Sequence, residues 1–361
     1  MAISRHYLDQ LMLSLFDRES VYDAGPGLWT ATGACSMLEF DDASAHEEWD
    51  DDVEANEAVI NNAEFPTYQE ITRQSVKIAY NEPRAKPNSL AGLIGLTLGT
   101  VVSAQDGVLV AYRHKLTPAS GVALPSIGAQ VKRDNGRQYK YTGIKSDGFT
   151  LGQNKGHLDL AVRLIGSGTR ATAADAFAAA ISETWLRWGD AKIFVKPTSG
   201  TAITIPATPA QGAVNLGASN VDLSTRVLNP NIAFTNGLQA DLGYRISSGK
   251  VRSNLHPARR SGMISFRLEV ESANEAAELD YYLNQTKLAF EINLDSGTII
   301  AATGAFKFGM IVIVPLMQFK TIKRTHESER EVLDLEGIIL GDGTNPEIVI
   351  WVYNAQSVYL V

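Results

Sequence analysis

Apolar and polar positions in this chain mostly alternate with a period of two. Residues 71–80, 126–132, 138–145 and 148–165 read as strands, and so do 37–40, 108–114, 231–234, 265–268, 291–294, 306–308 and 348–353. Such alternation marks a strand with one buried face. Asp134-Asn135-Gly136 and Asp295-Ser296-Gly297 stand between alternating runs. They predict hairpins, because glycine takes a positive φ without steric cost. Helical signals are few. Apolar runs over 90–98 and 273–283 predict two short helices, and the alanine-rich run over 172–186 a third. Tyr7, Leu8, Leu11, Met12, Leu15 and Phe16 recur at helical spacing and predict an amphipathic helix near the start. Residues 41–64 read as a long extended loop. The apolar residues 358–361 predict a terminus tied into a sheet.

The order of these elements recurs. Leu158-Asp159-Leu160 opens an eleven-residue stretch ending Gly166-Ser167-Gly168, and Leu333-Asp334-Leu335 opens one ending Gly341-Asp342-Gly343, 175 residues later. Upstream, Ser75-Val76-Lys77-Ile78 and Ser265-Phe266-Arg267-Leu268 each precede a helical run, and each run is followed by a hairpin signal. Tyr139-Lys140-Tyr141 is echoed by Phe306-Lys307-Phe308, and residues 191–195 by 348–352. Strand, helix, hairpin, strand, strand in both halves reads as a degenerate internal duplication. The implied organisation is an N-terminal arm over 1–30, a first unit over 31–196, a Thr-, Pro-, Gly- and Ser-rich linker over 197–229, and a second unit over 230–361. The arm would either dock on its own domain or grip a neighbouring subunit.

Composition fits a globular protein of two domains: 361 residues, 45% hydrophobic and 20% charged. The single cysteine, Cys35, excludes an intramolecular disulfide and suits assembly in a reducing cytosol. No apolar run approaches membrane-spanning length, and Asp9 and Gln10 interrupt what would be the core of a signal peptide. The net charge of −8 argues against a general nucleic-acid binder. That charge is concentrated. Residues 39–57 hold ten carboxylates and no Lys or Arg, within an acidic loop over 39–64. At the matching place in the second half, residues 242–262 hold five cations and no acid.

Catalytic signals are weak. Gly166-Ser167-Gly168-Thr169-Arg170-Ala171 fits the dinucleotide pattern G-x-G-x-x-A, with Asp190 downstream. However, Asp159 and Arg163 lie in the preceding strand, where a central parallel strand would be apolar on both faces. His46 among acidic neighbours has no metal-ligand spacing, and no nucleophile elbow occurs. No catalytic, cofactor or metal residue is assigned, and the chain is not expected to be an enzyme.

Residues 114–168 run His-Lys-Leu-Thr-Pro, Leu-Pro-Ser-Ile, a hairpin, Tyr-Lys-Tyr-Thr-Gly-Ile-Lys, then Leu-Asp-Leu-Ala-Val. Together with Ser89-Leu90-Ala91-Gly92-Leu93-Ile94-Gly95, this texture resembles the major tail tube proteins of long-tailed bacteriophages. The likeness is best over 70–170 and looser over 230–361. It implies a mainly β (α+β) fold of two tandem β-sandwich or half-barrel domains, each with a flanking helix. It also implies a structural virion protein whose rings close a β-barrel around a lumen and stack into the tube for DNA ejection. With a duplicated unit, a homotrimeric, pseudo-hexameric ring is expected over a homohexamer. Other partners would be the tape measure, terminator and tail-tip proteins. DNA would pass through the lumen without specific binding, with no cofactor and no membrane partner. Assembly would take place in the bacterial host cytoplasm, and the protein would reside in the virion tail. The alternatives are a tail-tip adhesion or carbohydrate-binding β-sandwich and, more remotely, a dinucleotide-binding enzyme. A lumen that lets DNA slide should be neutral or acidic. For contacts between subunits, the opposed loop charges single out Asp41, Asp42, Glu47, Glu48, Asp50, Asp51, Asp52 and Glu54 against Arg245, Lys250, Arg252, Arg259 and Arg260.

Overall fold

The computed structural model describes residues 10–25, 36–38, 47–55, 69–119, 124–133, 136–173, 176–177, 181–246, 248–271, 274–302, 304–327 and 330–360. It is mainly β, with large antiparallel sheets and two α-helices among the described residues. The first half carries β1 (Gln10–Leu13), β2 (Ser36–Leu38), β3 (Glu47–Trp49), β4 (Asp52–Ala55), β5 (Gln69–Arg73), β6 (Val76–Glu82), α1 (Pro87–Leu98), β7 (Gly99–Gln105), β8 (Tyr112–Pro118), β9 (Ile127–Lys132), β10 (Gln138–Asn154), β11 (His157–Gly166) and β12 (Arg170–Thr172). The second carries β13 (Ala191–Pro197), β14 (Val221–Asp222), β15 (Val227–Thr235), β16 (Leu238–Gln239), β17 (His256–Pro257), β18 (Ser261–Glu269), α2 (Glu275–Leu283), β19 (Leu288–Ile299), β20 (Lys307–Glu327), β21 (Arg330–Ile339) and β22 (Val349–Asn354).

The pairings follow one order in each half. β1 pairs with β2 and β9, and β9 with the first part of β10, which also takes β12. The last part of β10 pairs with β11, β11 with β6, and β6 with β3. In the second half β13 pairs with β14 and β19, and β19 with the first part of β20, which also takes β22. The last part of β20 pairs with β21, β21 with β18, and β18 with β15. The halves join where Gly148 to Leu151 of β10 meet Ile232 to Thr235 of β15. One long sheet therefore runs β3-β6-β11-β10-β15-β18-β21-β20. Although the strands form one connected network, this sheet stays open among the described residues. Among them, β3 and the last part of β20 each have a paired strand on one side only.

The two Leu-Asp-Leu stretches lie in β11 and β21, at equivalent places, with their leucines buried. The first predicted hairpin forms, with Gly136 at positive φ. The second turns later than expected, over residues 300–306, and Asp295-Ser296-Gly297 is an irregularity inside β19, with Gly297 at positive φ. One core cluster draws on both halves, and a smaller one around Trp351, Tyr353, Ile311 and Phe194 lies against Ile203 and Ile205.

Several expectations are corrected. Residues 10–13 form a strand, not a helix, and residues 10–16 dock on their own chain with Leu11, Leu13 and Leu15 buried. Short apolar runs carry no decisive period, and the waiting edges of β2 and β9 make the strand here. Residues 1–9 lie outside the described ones. No helix occurs among the described residues of 172–186. Buried Leu186 exchanges backbone hydrogen bonds with Ala85 and Leu158, overriding the alanine propensity. The echo of 191–195 in 348–352 fails: β13 pairs with β19 as β1 does with β9, and β22 pairs with β20 as β12 does with β10. The 197–229 stretch packs on β19 rather than hanging free, with Asn215 bonding Glu291 and Gly212 bonding Asn293. Residues 358–360 form no strand, and a single backbone bond ties Leu360 to Leu15.

Candidate assembly surface

The open face of the long sheet follows from register. Asn81, Ala161, Thr150, Ala233, Met263 and Ile338 form one row across six strands, and Ala79, Arg163, Gly148, Thr235 and Ser261 form the next. The residues between them on each strand, such as Tyr80, Val162, Phe149, Phe234 and Ile264, are buried on the other face. Most side chains of the two rows are small, Asn81, Arg163, Met263 and Ile338 apart, and they surround a shallow concavity of about 580 Å³. Its charges are compensated locally: Arg163 with Asp147 at 3.2 Å, Arg267 with Asp334 at 2.8 Å and Lys320 with Glu336 at 3.3 Å.

The acidic segment is not one extended loop. Its described part is strand β3, then the β4–β5 hairpin. β3 lacks apolar alternation, so side-chain partners hold it. Glu47 meets Arg133 at 2.6 Å, and Trp49 donates its indole N–H to the Tyr141 hydroxyl. Asp50 pairs with Lys77 at 2.5 Å, a bond that lowers the Asp50 carboxyl pKa. Asp51 pairs with Arg170 at 2.6 Å and accepts from the Ser75 N–H, while the Arg170 guanidinium lies over the Trp49 ring. Asp52 stands 3.8 Å from Arg73, and Glu48 and Glu54 are exposed. Asp41 and Asp42 lie outside the described residues, as do Cys35 and His46.

The basic segment folds against β5 and Gln74 of the same chain, just past the acidic loop. Lys250 pairs with Glu70 at 3.1 Å, its carbonyl accepts from the Gln74 N–H, and Tyr244 donates to the Gln74 carbonyl. Arg252 is buried, donating to the Gly166 and Ala240 carbonyls beside the Tyr244 ring. Arg260 donates to the Ala119 carbonyl, and burial lowers its pKa. Arg245 and Arg259 are exposed. The cations that answer the acidic segment, Lys77, Arg133 and Arg170, lie far from it in sequence, and only the ladder brings them together.

The Gly166-Ser167-Gly168 stretch has a packing reason. A Cβ on Gly166 would lie 2.4 Å from Val76, and one on Gly168, at φ +101°, 2.3 Å from the Gln74 carbonyl. The strand β12 follows, so this is a close backbone crossing and not the start of a helix. Among the described residues no group of three His, Cys, Asp or Glu side chains is placed to hold a metal, and no helix is long and apolar enough to cross a membrane.

No protein-family model matches this chain, and no curated protein matches it either.

Proposed function

We propose that this chain is the ring-forming subunit of a bacteriophage tail tube, built from a duplicated β unit, with three chains per ring. The carrying observation is the long sheet that ends, among the described residues, in two unpaired margins. Unpaired strand edges invite pairing with another chain, and a ring that closes its sheet removes them. The recurring order of partnerships supports the duplication, because each half repeats the same strand connections. The open face is then the lumen. Small side chains and locally paired charges suit a wall past which DNA slides, since phosphate is held by uncompensated Lys and Arg through counterion release.

Negative-stain microscopy of the purified protein tests this reading. Rings or tubes with three-fold symmetry and a pseudo-six-fold outline are expected. A protein that stays monomeric at high concentration overturns the reading, and six chains per ring overturns the trimer.

A further inference from the structure

The internal joint between β10 and β15 is a template for what the two open margins do. Aligning the ladders through Leu160 and Leu335 makes Phe149 equivalent to Phe319, Thr150 to Thr321 and Gly148 to Gln318. The same alignment makes Thr235 equivalent to Glu48 and Phe234 to Glu47, because β3 lies on β6 as β15 lies on β18. Inside the chain Gly148 faces Thr235 and Phe149 faces Phe234. The equivalent strands, β3 and the last part of β20, have no such partner among the described residues. The structure assigns them to each other across two copies of this chain: we propose that β3 of one subunit pairs antiparallel with β20 of the next, Glu48 facing Gln318. This rests on the ring reading and names its joint.

Charge favours the same partner. The open margin of β20 carries exposed Lys323, flanked by Lys320 and Arg324, which are exposed and paired with Glu336 and Glu331. The β3 margin carries exposed Glu48 and continues from the acidic segment. Opposite charge at the two ends favours head-to-tail pairing and penalises like ends meeting. A heterologous contact of this kind closes into a ring when its rotation permits. The acidic segment would then meet a basic strand, while residues 242–262 stay occupied within their own chain.

The test uses disulfide trapping in the full-length chain with its only cysteine removed as Cys35→Ser. Glu48→Cys and Gln318→Cys are made separately and together. A mixture of the two single variants should give a covalent dimer on oxidation, and neither alone should. The double variant should give a ladder ending at three chains. Rings that form without these cross-links overturn the joint and leave the tube reading standing. A Cys35→Ser chain and a wild type that both fail to form rings overturn both. Lys320→Glu with Lys323→Glu should raise the concentration needed for assembly about tenfold, and adding Glu48→Lys should recover part of it. Unchanged assembly in the charge-reversed variant also overturns the joint.

Discussion

The two helices occupy the same place in the two halves, between the strand pair β6/β9 and its counterpart β18/β19, yet they are held by different forces. All twelve residues of α1 are buried, and its sequence is apolar on every side. It is covered by the β7–β8 hairpin, which the second half lacks, by β10 and β22, and by the strap that replaces the expected alanine-rich helix. A helix apolar all round belongs in a core, and its glycines allow close approach there. α2 is half-buried, with Leu279, Tyr281 and Tyr282 partly covered and Leu283 exposed, and it carries a polar anchor: Arg226 forks onto Glu278 at 2.6 and 3.0 Å. One ladder position thus supports two different solutions, set by what covers it rather than by the strands beneath.

The sharpest way to break this contrast is Arg226→Ala. It leaves Glu278 buried and unpaired, and should cost about 3–5 kcal/mol in urea unfolding. A loss under 1 kcal/mol would mean that α2 is held by apolar contact like α1. The next effect is pH-dependent. Glu183 accepts from the Asn88 N–H in the first turn of α1, and burial pushes its carboxyl pKa up to about 7. Its folded value lies above its unfolded one, so its contribution is full in acid and is lost as pH rises through 7. Glu183→Gln should therefore gain on the wild type by roughly 3 kcal/mol between pH 4 and pH 8. A gap that does not change across a pH series of melting curves would remove the buried carboxyl from the account. Gly92→Val tests tight packing. A Cβ there would lie 2.6 Å from buried Leu15, and the variant should lose about 1–3 kcal/mol by chemical denaturation. The smallest effect belongs to Leu283→Ala at the exposed end of α2. Leu283 is 69% exposed, and its truncation should shift stability by no more than about 0.5 kcal/mol.

Legibility in the sequence followed the same division. α1, β6, β11, β18 and β21 were readable because burial on one face, or on all of them, imposes a period. β3 was not, since Glu47 is held by the Arg133 side chain and Glu48 by the ladder opposite Lys77, residues that no local pattern connects to them. The alanine-rich run misled because propensity is a weak prior beside a buried anchor such as Leu186. The expected strand over 108–114 begins later, at Tyr112, because residues 106–111 form the turn of an inserted hairpin. Opposed loop charges were legible as opposed. That the basic loop is engaged within its own chain, Lys250 pairing with Glu70 just past the acidic loop, depends on the fold.

The pairing of β8 with β22 also sets a timetable for synthesis. His114 in β8 bonds Asn354, 240 positions later. At a translation rate of ~5–20 residues per second, β22 emerges roughly 10–50 s after β8. Until then the first-made half presents an open strand edge beside an apolar helix that lacks part of its cover. A nascent chain in this condition is a substrate for chaperones and a hazard to its neighbours on the same message. Completion of the cover over α1 therefore waits for β22.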